Sequence, residues 1–243
     1  MHLKVAFWRF LHTFTLIFYA FAAWLYAEIF DIKYTISRFW NGGMNSTDAP
    51  CEFLESPFET LNHIAFVIYE DNLSVPILCQ LILICVHLQI KEVSVTVKSA
   101  SKSCVKRLAH SYLQTCSNVF CSEPNSSKEV QSLSVSSKGR NSNIYFLDIH
   151  TGQQLMLSAA KSLSSSSKAS LTTSAVEKTL HGIFPVSPVS LTVIFGPPSL
   201  IGLLPWQSGT TEILKWPSHK CINSSDFAKL LRVYSGISQR WGR

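Results

Sequence analysis

Residues 75–90 read VPILCQLILICVHLQI, and two structures suit such a run. Sixteen residues is marginal for a membrane span, and a buried strand or core helix is the alternative. Pro76 fits either helix, because a proline in the first turn lacks only an N–H that would be unpaired anyway. The flanks favour the span. Glu70 and Asp71 precede the run, whereas Lys91, Lys98, Lys102, Lys106 and Arg107 follow it. Basic excess close to a span marks its cytoplasmic side.

A second apolar run, Phe10–Ala27, reads FLHTFTLIFYAFAAWLYA. As a helix, Trp8 to Tyr26 would reach about 27 Å, near the roughly 30 Å of a bilayer's hydrocarbon layer. Trp8, Trp24 and Tyr26 fall near its ends, where amphipathic rings prefer the interface. Lys4 and Arg9 put the N-terminus on the cytoplasmic side as well. The competing reading is a secretory signal peptide, with Ala20-Phe21-Ala22 as a small-x-small cleavage site near Ala22.

The charge is unevenly spread. The chain of 243 residues carries a formal +6. Its first 90 residues hold four basic and eight acidic side chains, and all eight acids lie in 28–74. The remainder is basic. These observations predict a membrane α-helical hairpin of two transmembrane helices, followed by a largely irregular Ser/Pro-rich tail with a few short strands. The layout is 1–27 as tail and first helix or signal-anchor, 28–74 as an acidic lumenal or extracellular loop, 75–90 as a marginal second helix, and 91–243 as a weakly ordered tail. Both termini would be cytoplasmic, in the endoplasmic reticulum or plasma membrane.

Composition argues against order in that tail. Serine numbers 35 of the 243 residues, and Ser162–Ser167 reads SLSSSS. Alternation in Val93–Val97 and the run Ile144–Ile149 suggest two short strands. The charge-free window Thr179–Thr211 has a span's length but is broken by Pro185, Pro188, Pro197, Pro198 and Pro205. Short extended pieces such as Val189–Phe195 fit it better.

Chemistry is thinly signalled. GxxxxGK[ST], GxGxxG, HExxH and GxSxG are all absent, so the sequence predicts no enzyme, no catalytic residue, no cofactor and no metal. Asp148 and His150 share a strand face without a nucleophile motif. Among Cys104, His110, Cys116 and Cys121, the closest pair is Cys116-x₄-Cys121 and the other gaps are longer, so a structural zinc site is not expected. Within the predicted spans, His12, Gln80 and His87 are the polar residues to watch, because ionisable groups in a bilayer are functional candidates. The lipid bilayer is the expected partner. Lys98, Lys102, Lys106 and Arg107 would meet anionic headgroups, an unidentified protein would bind the tail, and no nucleic acid is expected. Of four N-x-[ST] sequons, Asn45 alone stands clear of both membrane faces in the lumenal loop, and it is the expected glycosylation site.

Function divides into three readings. The first is a membrane-anchored accessory or interaction protein acting through its tail. The second is a secreted or lumenal protein, and the third is a recent or spurious reading frame without a selected fold.

Overall fold

A computed structural model of the chain describes residues 14–15, 61–116, 118–123, 130–165, 172–197, 205–207 and 209–237. The chain divides after Ala49, and every element below lies in the part Pro50–Arg243. Strand β1 (His63–Ile68) reads HIAFVI and is buried at all six positions. A continuous apolar run of this kind is the mark of a strand covered on both faces of a parallel sheet. Helix α1 (Val75–His87) follows, with proline in its first turn. It is closed by Gln89 in the left-handed region at φ 61°. Strand β2 (Glu92–Val97) pairs parallel with β1, Ile64 opposite Val93 and Phe66 opposite Val95.

Helix α2 (Lys102–Gln114) buries Val105, Ala109 and Leu113, a spacing of four that keeps one apolar stripe against the core. Three strands come next: β3 (Val119–Ser122), β4 (Gln131–Ser137) and β5 (Arg140–Leu147). Lys138 and Gly139 between β4 and β5 have φ of 50° and 76°, the signature of a two-residue hairpin turn of type I′. Helices α3 (Thr151–Ser165) and α4 (Thr173–Ile183) precede strand β6 (Leu191–Phe195). Strand β7 (Glu212–Trp216), a 3₁₀ turn at His219–Cys221 and helix α5 (Ser224–Ser235) complete the described part. The Asn223 side chain caps α5 by accepting the Asp226 N–H at 2.8 Å.

The seven strands form one sheet in the order β3-β4-β5-β2-β1-β6-β7. β5, β2, β1, β6 and β7 run parallel, while β4 lies antiparallel between β3 and β5. Ile64, Phe66, Val95, Ile144 and Phe195 point to one face, under α1, α2 and α5. Leu147 points to the other, where Leu155 and Ala159 of α3 and Leu180 of α4 cover it. The architecture is a layered α/β fold with helices on both faces.

This fold overturns the membrane hairpin. Residues 75–87 do form a helix, but it buries Leu78, Cys79, Leu81, Ile82, Ile84, Cys85 and Val86 against protein. Its 13 residues would reach about 20 Å. No helix among the described residues is long and apolar enough to cross a membrane. The first predicted span, Phe10–Ala27, lies outside the described residues apart from Phe14 and Thr15. With the second span gone, the placement of both termini on the cytoplasmic side of a secretory membrane loses its basis.

The irregular tail is corrected too, since residues after 91 contribute six of the seven strands. Serine concealed them. In β4, QSLSVSS, Leu133 and Val135 turn to the core while Ser132, Ser134 and Ser136 take the opposite face. A chain that assembles such a sheet is not a reading frame without a fold.

Candidate functional site

In an open α/β sheet, ligands bind outside the carboxyl ends of the strands, where neighbouring strands send their connections in opposite directions. Here that point lies between β1 and β6. The chain leaves β1 towards β2 on one side, and leaves β6 towards β7 on the other. Glu70 stands in the loop after β1, Gly196 directly after β6, and Ser218 and His219 just beyond β7.

These residues form one hydrogen-bonded cluster. Glu70 Oε2 accepts from Ser218 Oγ at 2.9 Å and from His219 Nδ1–H at 2.8 Å, and Oε1 accepts the His219 backbone N–H at 2.8 Å. On the far side of the ring, His219 Nε2 accepts the Ser74 N–H at 2.8 Å, just ahead of α1. An N–H can only donate, so Nε2 carries no proton and the neutral ring holds its proton on Nδ1. The His219 side chain is 0% exposed. Burial pushes the Glu70 carboxyl up, but the His219 and Ser218 bonds outweigh it and hold the group below the ordinary carboxylate value.

Gly196 lies against the cluster. Its φ is 96°, and a β-carbon there would stand 3.4 Å from Glu70 Cγ and 3.7 Å from the Tyr69 carbonyl. That backbone region is nearly free for glycine and strained for other residues.

Charged groups surround the same edge. Asp71, 87% exposed, lies 3.7 Å from Lys98 Nζ. Lys98 itself sits over the Tyr69 ring, 4.5 Å from its centroid. Asp148, after β5, accepts the Lys102 N–H at 2.9 Å at the start of α2, with Lys102 Nζ 3.4 Å away. Lys106 pairs with Glu123 at 3.2 Å. The expected headgroup contacts are thereby corrected: Lys98, Lys102 and Lys106 have acidic partners within the fold, and only Arg107 of the four is an exposed helix residue without a described pair.

Other residues singled out in the sequence lie elsewhere. Gln80 is half-buried midway along α1. His87 ends α1 at the opposite edge of the sheet, where its carbonyl accepts from the Arg140 guanidinium. Burial lowers its pKa, and the charges of Lys138 and Arg140 add to that effect. His12 and Asn45 lie outside the described residues. Cys104, His110, Cys116 and Cys121 form no centre, since among the described residues no three His, Cys, Asp or Glu side chains gather to hold a metal.

Sequence reading missed Glu70, Gly196, Ser218 and His219. A usable signal existed at Glu70, because an acid directly after an apolar strand and before a helix start is where such folds place site residues. Nothing local marked His219, which lies 149 residues away.

No known family model matches the sequence. A stretch of 54 residues is 46% identical to the "Dehydrodolichyl diphosphate synthase complex subunit Nus1" of Mus musculus, covering 22% of this chain and 18% of that protein. The Homo sapiens protein of the same description is 44% identical over 54 residues, with the same coverage. The matched stretch thus spans under a fifth of these curated relatives. Among solved structures, the fold is similar to a probable undecaprenyl diphosphate synthase from Campylobacter jejuni, with a TM-score of 0.52 and 16% identity, over 75% of this chain and 99% of that one. It is equally similar to lavandulyl diphosphate synthase from Lavandula x intermedia in complex with dimethylallyl diphosphate, at a TM-score of 0.53 and 15% identity, over 76% and 99%. The expectation of a non-enzyme rested on missing motifs alone, and it is overturned by a fold that solved synthases use throughout their length. By its architecture, this chain is similar to the prenyl diphosphate synthases.

Proposed function

We propose that the chain is a cis-prenyltransferase-like diphosphate synthase component that handles isoprenoid diphosphates and works within a complex of unlike subunits. One observation carries this reading: the fold of solved diphosphate synthases occurs together with a 54-residue similarity to a named synthase-complex subunit. The site is compatible with it. A diphosphate needs cations and N–H donors, and Lys98 and Lys102 stand at the carboxyl edge beside the starts of α1 and α2. The Lys98–Asp71 pair is loose and open to water, so a phosphoryl oxygen can replace Asp71 at little cost. Held there, a diphosphate would be neutralised as its bond to the isoprenoid carbon breaks and it leaves with the bonding electrons.

Calorimetric titration of the purified chain with dimethylallyl diphosphate tests binding. Incorporation of a radiolabelled isoprenoid diphosphate into extractable product, with the chain alone and in its cellular complex, tests turnover. The reading predicts binding that Lys98→Ala weakens about tenfold. Absence of binding and of product in both preparations would overturn it.

A further inference from the structure

We infer that His219 is a proton-operated latch that fastens the entrance of α1 to the segment after β7. The latch has two faces with opposite demands. Nδ1–H donates to Glu70 Oε2 at 2.8 Å, and Nε2 accepts the Ser74 N–H at 2.8 Å. The neutral ring satisfies both. A second proton, on Nε2, would point at the Ser74 N–H, and two donors facing each other lose that bond.

Protonation is nonetheless provided for. The Glu70 carboxylate already lies against the ring and strengthens its bond when the imidazole becomes a cation. The second proton can enter only at Nε2, against the Ser74 N–H, while the Glu70 carboxylate at Nδ1 stabilises the cation that results. That makes a two-position device rather than a permanent lock.

Among the described residues, three elements present groups to the ring. Glu70 comes from the loop after β1, the Ser74 amide from the start of α1, and Phe195 of β6 presents a ring at 6.2 Å with a T-shaped approach. Ser218 precedes it and donates to the same carboxylate, and Lys220 follows it, its N–H bound to Ser218 Oγ at 3.2 Å. Glu70 is the carboxylate in contact with the ring.

Opening the latch frees the start of α1, from Ser74 back to the loop 69–73, while leaving the strands untouched. The inference concerns that movement and holds whether or not the chain handles isoprenoid diphosphates.

Histidine-labelled full-length chain, followed by imidazole nitrogen spectra and amide exchange from pH 8 to 5, tests it. At pH 8 the spectra should show the Nδ1–H tautomer for His219. The Ser74 amide should be protected at least tenfold beyond its intrinsic rate. That protection should fall in one step at the pH where His219 gains its second proton, while the Phe66 amide in β1 stays protected. His219→Gln, which cannot take the proton, should abolish the step. Glu70→Gln, which keeps the shape without the charge, should move the step to lower pH. Ser74 protection that stays level while His219 gains its second proton, a ring that stays neutral down to pH 5, or a neutral Nε2–H tautomer, would overturn the inference. Because the decisive measurement is on the unaltered chain, a variant that fails to fold does not remove the test.

Discussion

Each end of β1 carries a histidine, a glutamate and serine, arranged differently. At the amino end, His63 Nδ1–H donates to the Ser187 carbonyl at 2.7 Å and Nε2 accepts from Ser94 Oγ at 2.8 Å. Glu92 accepts the Ser187 N–H at 2.8 Å and the Ser187 hydroxyl, and Tyr145 OH at 3.3 Å. At the carboxyl end, Glu70 and Ser218 hold His219. In the first cluster the histidine belongs to the strand itself, and His63 faces Glu92 through the register of β1 on β2. In the second, both partners stand in loops. The amino-end cluster is built by strand pairing and cannot change without the sheet. The carboxyl-end cluster is built by loop closure at the switch point and can.

Titration follows the same division. Burial lowers the His63 pKa despite the Ser187 carbonyl and the Glu92 charge, and burial raises Tyr145 to about 12. His63 and Tyr145 are both held in their neutral forms. At the other end the carboxylate is held charged.

Deletion of His63 should break the molecule most severely. His63→Ala leaves a cavity, an unpaired Ser187 carbonyl and a stranded Ser94 hydroxyl, and we expect a loss of about 4 kcal/mol in denaturant unfolding. Glu70→Ala should cost about 2–3 kcal/mol, since it strands the Ser218 hydroxyl and two His219 donors. An equal loss from both would mean that the carboxyl-end cluster is as much a part of the framework as the strand pair.

Acid should separate the two ends by window. Below the ordinary histidine value of 6.5, the unfolded chain takes up a proton that folded His63 refuses. Stability is therefore full above about pH 6.5 and falls as pH drops towards the lowered folded value. Glu70, lowered from 4.5, contributes above that value and loses its contribution only as pH falls through the folded pKa. Stability against pH in His63→Gln should lack the first decline and keep the second.

Glycine substitutions give the smallest contrast. Gly196→Ala and Gly139→Ala each meet a left-handed φ, at a cost of about 1 kcal/mol. The added methyl at 196 stands in ordinary contact with Glu70 Cγ and the one at 139 in open space, so thermal unfolding should show similar shifts, and a clearly larger one at Gly196 would show that Glu70 does not yield.

Part of this fold could be read locally. VSVTV marks β2, and the strand in Val189–Phe195 sits where β-branched residues gather between prolines. The helix beginning at Val75 was legible as well, with its proline in the first turn. What it packs against was not. An apolar helix buried beneath a sheet and one buried in lipid present the same side chains, and length alone leans between them.

The sequence by itself determined which segments are apolar, where several strands lie and where prolines and glycines interrupt the chain, because these depend on residues within a few positions of one another. Tertiary structure alone decided what the charges mean. Acids gathered before Val75 and bases after Ile90 resemble the two sides of a membrane. In the folded chain, Asp71 lies beside Lys98, Asp148 caps the helix that Lys102 begins, and Glu70 receives a histidine from 149 residues away. A run of one sign shows where charge is, and only the order of strands in the sheet settles which charges meet.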